Sequence, residues 1–511
     1  MEDKANSIIN QRNIKARLFF SILIIIFSIS LVEKTFQNDT FFNISIGKYI
    51  IENGIDMKDH FSWIKGLDYT YSHWAFDIIM YLIYNSFNFT GIYVGTIILT
   101  CIINVILFNL IATRTKRPVI SAAITFCVSS LIGTSYTARS QIVSFLCFII
   151  EIYCIEQYID TNKIKYAISI LILSVIVANF HAATWPLTLV LFLPYLVPAF
   201  LNLTSSKKYG QKLYTKIERR ESYNGRNLLF LFIVTCFTGL ITPIHNVPYT
   251  YILKSMFGKS NIEGHLSIDY IAEMEHLMPI INLKFVIFTI LFLSFLIFLP
   301  TKIKSEHGFL MLGLYFMALS SNRYVILLDL IGAFVIADLM TQGVNMFIPE
   351  EMDFLYKACT KNYIMLLLII LTVAYSACNL IDISHQPYVD EKEYPVGATE
   401  YILENIDYKN MKIYNHYDTG SYLMLNNIDV FIDSRLDVYC SEFSNVDIFK
   451  DFLNLESGKL HYKDFVEKYH NTHFLIKNDN LLHTYIDTDQ NYKKMYEDEY
   501  FSLYKVNEVA N

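Results

Sequence analysis

Blocks of apolar residues long enough to cross a bilayer recur along the chain, and short polar segments separate them. A helix needs about 20 apolar residues to cross the hydrocarbon core. By this measure the pattern predicts about eleven membrane-spanning helices. Their approximate bounds are 18–33, 90–112, 118–135, 140–159, 165–181, 184–202, 227–243, 284–300, 307–320, 324–346 and 363–380. We therefore expect an α-helical polytopic membrane protein.

Basic residues near the ends of these helices predict their orientation. Lys and Arg side chains are retained on the cytoplasmic side of a membrane. They cluster before the first predicted helix and again after the second, fourth, sixth, eighth and tenth. The N-terminus is therefore expected in the cytoplasm, and the two long loops at about 34–89 and 244–283 at the outer face. Residues 382–511, which follow the last helix, are expected outside the plasma membrane as well.

The residues after the last span differ in composition from the rest of the chain. Residues 1–381 form the predicted multi-pass domain, whereas 382–511 are polar and rich in Tyr, Asp and Asn. Coarse alternation of helical and extended patterns in 382–511 predicts a small α/β domain. The predicted helices are Ala398–Glu404, Ser421–Leu425, Asp447–Asn454 and Tyr462–Tyr469, and the predicted strands are Met411–Tyr414, Val430–Asp433, His473–Ile476 and Tyr500–Val506.

Composition supports the membrane assignment and narrows the chemistry. Of the 511 residues, 53% are hydrophobic and 17% charged, and the mean hydropathy is +0.34. The net charge of −7 carries little information about partners, and nucleic acid is not expected among them. Among the eight cysteines, Cys440 is the one clear outer thiol, so it has no partner for an internal disulfide. No Cys-x-x-Cys spacing occurs, and no residues are assigned to a metal.

The first outer loop contains the main catalytic candidate. Asp39 follows the first apolar span by a few residues and precedes the aromatic pair Phe41 and Phe42. A carboxylate at the membrane interface is suited to act as a general base on a lipid-linked substrate. The alternative is a structural role, in which Asp39 caps the helix that follows.

Further ionisable residues are predicted at the outer ends of spans. Arg139 and Arg323 could grip a phosphate through bidentate hydrogen bonds, or each could only anchor its helix at the interface. The remaining candidates for substrate binding are His73, His181, His245, Glu263 and His265. For His181 the alternative is an interface histidine with satisfied hydrogen bonds. No regular run of buried charges, as expected in many proton-coupled transporters, is evident along the spans.

The motifs of soluble enzymes are absent from the sequence. There is no P-loop, no G-x-G-x-x-G after a strand, no H-E-x-x-H and no G-x-S-x-G. Chemistry driven directly by a nucleotide is therefore not expected, and a donor substrate would arrive already activated.

Several segments together resemble the GT-C superfamily of polytopic glycosyltransferases, in its bacterial PMT/ArnT-like and RgtA/B/C/D-like branch. The resemblance lies in Asn38-Asp39-Thr40 through Asn53-Gly54, Ser72-His73-Trp74, Ala138-Arg139-Ser140-Gln141 and Asn179-Phe180-His181. It implies a polyprenyl-phosphate sugar as donor and places Asp39 at the position of the catalytic carboxylate. Many relatives have Asp-Glu where this chain has Asp39-Thr40. Some of them need a divalent cation, so the resemblance implies a possible cation here.

Three segments of the C-terminal region extend the resemblance. Segments of such proteins are similar to Phe431-Ile432-Asp433-Ser434-Arg435, Asp437-Val438-Tyr439 and Tyr496-Glu497-Asp498. The segment Tyr414-Asn415-His416-Tyr417-Asp418-Thr419-Gly420 is faintly similar to the acceptor-binding Trp-Trp-Asp-x-Gly of oligosaccharyltransferase catalytic subunits, without its tryptophans. The alternative for this segment is a turn followed by a helix N-terminus.

Three functions fit these features. The first is a glycosyltransferase that moves a sugar from a polyprenyl-phosphate carrier to a glycan, lipid or protein of the cell envelope. The second is a transporter or flippase of lipid-linked saccharides. The third is a non-catalytic scaffold that assembles envelope enzymes through residues 382–511.

The predicted orientation can be tested by labelling introduced cysteines in intact cells. An impermeant maleimide should label Asn480→Cys, in the outer domain, and should not label Tyr223→Cys, in the basic segment after the sixth predicted helix. Labelling with the reverse pattern would rule out this topology.

Overall fold

The structure is a computed structural model, which describes residues 2–204, 217–218, 225–257, 277–278, 282–347, 361–444 and 446–507. Of these described residues 70% are helical, in 19 helices. The chain divides into two compact units. The first, which we call the helical unit, contains Met1–Glu33, Tyr93–Ile241 and Ala272–His385. The second, which we call the mixed unit, contains Lys34–Ile92, Thr242–Ile271 and Gln386–Asn511.

The helices up to Ser384 match the apolar pattern of the sequence. Their bounds are α1 Glu2–Ile29, α2 Asn38–Asn53, α3 Trp74–Thr115, α4 Pro118–Leu131, α5 Gln141–Thr161, α6 Ile164–Phe180, α7 Trp185–Thr204, α8 Gly225–Thr235, α9 Val247–Phe257, α10 Leu283–Phe298, α11 Ser305–Ser320, α12 Val325–Phe347 and α13 Asn362–Ser384. Each of the predicted spans therefore falls on a helix.

Four of the described helices are long and apolar enough to cross a membrane. They are Trp74–Thr115, Gln141–Thr161, Asn322–Met346 and Asn362–Ser384. In the most apolar part of Asn362–Ser384 only 6% of the residues are buried. Leucines such as Leu366 and Leu371 are exposed there, which is a costly arrangement in water. Several apolar helices are shorter, and the count of eleven spans stays a prediction.

A buried amide at Asn104 holds three elements of the helical unit together. Its nitrogen donates to Ser28 Oγ on α1 at 2.9 Å. Its oxygen accepts from Ser129 Oγ on α4 at 2.9 Å and from the Tyr136 hydroxyl at 2.6 Å. Between helices that lack water, such hydrogen bonds satisfy polar groups and favour one packing arrangement.

The C-terminal part of the mixed unit is a small α/β fold, as the sequence predicts. Its helices are α14 Val396–Asn405, α15 Tyr417–Leu425, α16 Leu436–Tyr439, α17 Ile448–Glu456, α18 Tyr462–Tyr469 and α19 Leu481–Asp487. The short strands β1 Ile217–Glu218 and β2 Ile303–Lys304 belong to the helical unit. The strands of the α/β part are β3 Ile413–Tyr414, β4 His473–Lys477, β5 Tyr492–Glu497 and β6 Phe501–Val506.

The four-stranded sheet has the order β3-β4-β6-β5. Strands β3 and β4 run parallel, with Ile413 opposite His473, whereas β6 is antiparallel to both β4 and β5. Aromatic rings cover the sheet near its first strand, where the Tyr414 ring lies 5.3 Å from those of Phe465 and Phe474. This packing buries Tyr414 and Phe474 almost completely.

The strand predicted at Val430–Asp433 was wrong. This segment does not join the sheet, and Val430 instead forms an isolated parallel bridge with Ser62. The Val430 amide donates to the Phe61 carbonyl at 2.9 Å, and the Trp63 amide donates to the Val430 carbonyl at 3.2 Å. The apolar pattern of the segment reflects burial against residues 61–63, because Val430, Phe431 and Ile432 have no exposed surface.

Candidate functional site

Asp39 lies in the first turn of α2, within the mixed unit. The helix begins at Asn38, and the N-cap position is taken by Gln37, whose side chain makes no capping hydrogen bond. Asp39 is therefore inside the helix, where a carboxylate interacts favourably with the positive end of the helix dipole. Its side chain is only partly buried. The helix dipole therefore stabilises the Asp39 carboxylate, which remains partly accessible to solvent.

Helix α15 packs against α2 and brings a second carboxylate to the same region. Asp418 lies in the first turn of α15 and is exposed. The Asn38 side chain donates to Asp418 Oδ1 at 3.4 Å, so the starts of the two helices meet. The segment 414–420 and the loop of Asp39 thus lie side by side, although nothing in the sequence links them.

A glycine allows α15 to approach its neighbouring segment closely. A Cβ atom at Gly420 would lie 2.0 Å from the Ile432 carbonyl oxygen and 2.8 Å from the Asp433 Cα. Both are backbone atoms, so no other residue fits without displacing the chain. The Asn415 side chain secures the contact, donating to the Ile432 carbonyl at 2.7 Å and accepting from the Phe431 amide at 2.9 Å.

Tyr417 adds a phenol to the two carboxylates. Its hydroxyl donates to the Ser434 carbonyl at 2.9 Å. Burial raises the pKa of Tyr417 well above its usual value, and the carboxylates of Asp39, Asp433 and Asp418 raise it further. The phenol therefore stays protonated at any physiological pH and acts as a hydrogen-bond donor.

A buried aspartate at the start of α3 faces the same charges. Asp77 has no exposed surface, and neither of its carboxylate oxygens has a hydrogen-bond partner among the described residues. Asp39 and Arg435 are the charged groups that interact with it. A Cβ atom at Gly47 of α2 would lie 2.0 Å from the Asp77 carbonyl oxygen, so α2 packs tightly on this turn.

Arg435 forms the ionic core of the mixed unit. Its guanidinium contacts Asp59 Oδ1 at 2.7 Å and both oxygens of Asp433 at 2.7 and 2.8 Å. The Phe61 and Tyr69 rings lie 5.1 and 4.8 Å from its central carbon. The two carboxylates raise the pKa of Arg435 against the opposing effect of burial. A permanent positive charge thus joins the loop between α2 and α3 to the Asp433–Arg435 segment.

Two further predicted residues of the mixed unit, His73 and His245, lie in described segments. The His73 ring lies 6.5 Å from that of Phe42, and its Nδ1 is 3.4 Å from Ser72 Oγ. His245 is exposed and has a positive φ of 57°. Glu263 and His265 lie outside the described residues. Their proposed role in substrate binding stays a prediction.

Three predicted residues belong to the helical unit. His181 is buried at the end of α6, where its Nδ1 lies 3.0 Å from Ser144 Oγ, which favours a structural role. Arg139 precedes α5, and Arg323 lies in the turn Asn322–Tyr324 before α12. Both are partly buried. The described contacts do not join the two guanidiniums to each other.

An ionic cluster that the sequence did not predict lies within the helical unit. Arg114 of α3 pairs with Glu156 of α5 and with Asp338 of α12, the latter at 2.5 Å. His307 of α11 lies 2.8 Å from Glu156 Oε1, and the Tyr195 hydroxyl donates to the same oxygen at 3.1 Å. Arg114 had been counted only as a cytoplasmic charge, and no regular spacing links the five residues. The sequence signal that could have revealed the cluster is the presence of the acidic residues Glu156 and Asp338 inside two apolar helices.

The described residues contain no group of three or more His, Cys, Asp or Glu side chains that could hold a metal ion. The possible divalent cation stays a prediction. No model of a known protein family matches the chain, and no curated protein matches it either.

The Arg435 ion pairs can be tested through Cys440, which is fully buried nearby in sequence. Arg435→Met should leave two buried carboxylates without their cation, at a cost of about 3–5 kcal/mol. The rate at which a maleimide labels Cys440 through unfolding of the mixed unit should then rise a hundredfold or more.

Lys65→Ala is the matched control for this experiment. Its ion pair with Asp429 is 4.0 Å long and exposed, so its loss should cost about 1 kcal/mol or less. Equal labelling rates in Arg435→Met and the wild type would show that the ion pairs do not stabilise the unit.

Proposed function

We propose that this chain is a membrane glycosyltransferase of the GT-C type, located in the plasma membrane with residues 382–511 at its outer face. It would transfer a sugar from a polyprenyl-phosphate carrier to a cell-envelope glycan, lipid or protein. The observation that carries the proposal is the meeting of Asp39 with Asp418 and Tyr417 at the starts of two packed helices. This meeting supports a functional rather than a capping role for Asp39.

In this mechanism Asp39 acts as the general base. It accepts the proton of the acceptor hydroxyl as that oxygen forms a bond to the anomeric carbon of the sugar. The bond between the anomeric carbon and the phosphate oxygen breaks, and the polyprenyl phosphate leaves with the electron pair. Asp418 is exposed, so its carboxylate is suited to orient an acceptor hydroxyl, whereas the single proton of Tyr417 is donated to the Ser434 carbonyl and fixes the ring in place.

Arg139 and Arg323 take the donor phosphate in the proposed mechanism. A guanidinium forms two parallel hydrogen bonds to a phosphate and stabilises the charge that develops on the leaving group. Arg323 makes no ion pair or hydrogen bond with another described residue, which is consistent with a side chain kept for a ligand.

The role of Asp39 can be tested by replacement with Asn, which has almost the same shape. Transfer from a radiolabelled polyprenyl-phosphate sugar should fall at least about a hundredfold, since a general base is lost. Asp68→Asn is the control, because Asp68 is exposed and its partner among the described residues is Lys58. Full activity in Asp39→Asn would show that Asp39 is not the general base and has a structural role.

The arginines can be tested by titrating purified variants with a polyprenyl-phosphate sugar. Arg139→Ala and Arg323→Ala should each weaken binding by about 2 kcal/mol or more, and Lys should not restore it, because an ammonium lacks the planar fork. Arg117→Ala is the matched control in the helical unit, since among the described residues that guanidinium donates to Asn345 at an exposed position. Unchanged affinity in both variants would remove the phosphate role.

The ionic cluster of the helical unit favours a second candidate function. Buried ionisable groups on several apolar helices are a feature of transporters. A flippase of lipid-linked saccharides would move its substrate between leaflets of a reconstituted vesicle without forming glycosidic bonds. Such movement, lost in Glu156→Gln and unaccompanied by transfer, would favour this alternative over the transferase.

A further inference from the structure

A cavity of about 220 Å³ opens in the α/β part of the mixed unit, with a lining that includes Tyr414 and His416 but not Asp39, Tyr417 or Asp418. It lies where the parallel strands β3 and β4 end and the chain continues into α15 and α19. In open α/β sheets, ligands bind in the crevice beyond the carboxyl ends of parallel strands. The polar side chains that line the cavity are those of Tyr414, His416, Glu456, Lys477, Asp479 and Asn480.

Hydrogen bonds fix the polar groups around this cavity before any ligand arrives. Glu456 accepts from the Tyr414 hydroxyl and from the Asn480 amide, the latter at 2.6 Å. The Asn480 oxygen in turn accepts from the Leu482 amide at 2.8 Å. Each Glu456 oxygen keeps a lone pair for a further donor. The site is therefore preorganised, which lowers the entropy cost of binding.

The cavity offers hydrogen-bond donors as well as acceptors. His416 Nδ1 accepts from the Asp418 amide at 3.2 Å, so a neutral His416 ring carries its proton on Nε2. Lys477 contacts Glu393 at 2.6 Å, and an ammonium has two more protons to donate. Donors and acceptors thus alternate around one small space, as they must to bind hydroxyl groups that both donate and accept.

The charge balance narrows the ligand class. Two carboxylates, Glu456 and Asp479, face one ammonium, Lys477, so an anion such as phosphate would be repelled. The volume is below the range of about 300–1,000 Å³ that is typical of sites for drug-sized molecules. A ligand of one sugar ring, neutral and rich in hydroxyls, satisfies both limits.

We propose that this cavity is a binding site for a single neutral sugar unit of a glycan. The identification of that glycan as the acceptor rests on the proposed transferase function, whereas the sugar binding does not. The cavity would hold one ring of a growing chain and so keep the acceptor on the mixed unit.

The test uses saturation-transfer NMR on the full chain in lipid nanodiscs, because maltoside detergents would compete for a sugar site. The probes are methyl α-D-glucopyranoside, methyl β-D-galactopyranoside and N-acetyl-D-glucosamine, with inorganic phosphate and glycine as comparators. At least one sugar should bind with a millimolar Kd, and the comparators should not bind at the cavity.

Amino-acid substitutions test whether the NMR signal comes from a sugar bound in the cavity. Asp479→Trp should fill the space and Lys477→Ala should remove a donor, and each should weaken sugar binding about tenfold or more. Asp479 is exposed, so its replacement is compatible with folding. Asp464→Trp and Lys493→Ala, at exposed positions outside the cavity, should bind as the wild type does.

The outcomes separate this inference from the transferase proposal. Absence of sugar binding, equal binding in Asp479→Trp, or binding of glycine or phosphate in place of sugar would overturn the inference. Sugar binding at the cavity in a chain without transferase activity would uphold it and remove only the acceptor assignment. Transfer by the wild type with sugar binding insensitive to Asp479→Trp would leave the transferase standing and reject the cavity.

Discussion

The buried guanidinium of Arg435 is the interaction on which the mixed unit depends. Taking one arginine and two aspartates out of water is expensive, and the close ion pair with Asp59 together with the two hydrogen bonds to Asp433 offsets that cost. Residues 59–61 belong to the loop between α2 and α3, and residues 433–435 to the C-terminal part. The position of α2 beside α15, and with it the position of Asp39, requires these two segments to fold together.

The carboxylate region is built from backbone proximity more than from side-chain contacts. Gly420 and Gly47 each allow a helix to approach another backbone more closely than a Cβ atom would permit. Helix termini then present Asp39 and Asp418 from first turns, where the helix dipole stabilises negative charge. A phenol with a raised pKa completes a region with two proton acceptors and one fixed donor.

Local patterns in the sequence predicted the elements well and the tertiary contacts poorly. Apolar periodicity placed the helices, and the strands His473–Ile476 and Tyr500–Val506 were placed within a residue or two, because burial dictates both patterns. Val430–Asp433 was misassigned, because an apolar segment buried against residues 61–63 has the same composition as a buried strand. The cluster of Arg114, Glu156 and Asp338 was missed, because helix packing rather than spacing brings these residues together.

The bridge between Ser62 and Val430 has a consequence for biosynthesis. The two residues are 368 positions apart, and their hydrogen bond forms only after residue 430 has been made. At roughly 5–20 residues per second, synthesis of the intervening segment takes about 20–70 s. Throughout that interval Asp59 has no ion pair with Arg435, because Arg435 has not yet been made. The newly made first loop therefore remains open to proteases and chaperones until residues 430–435 have been made.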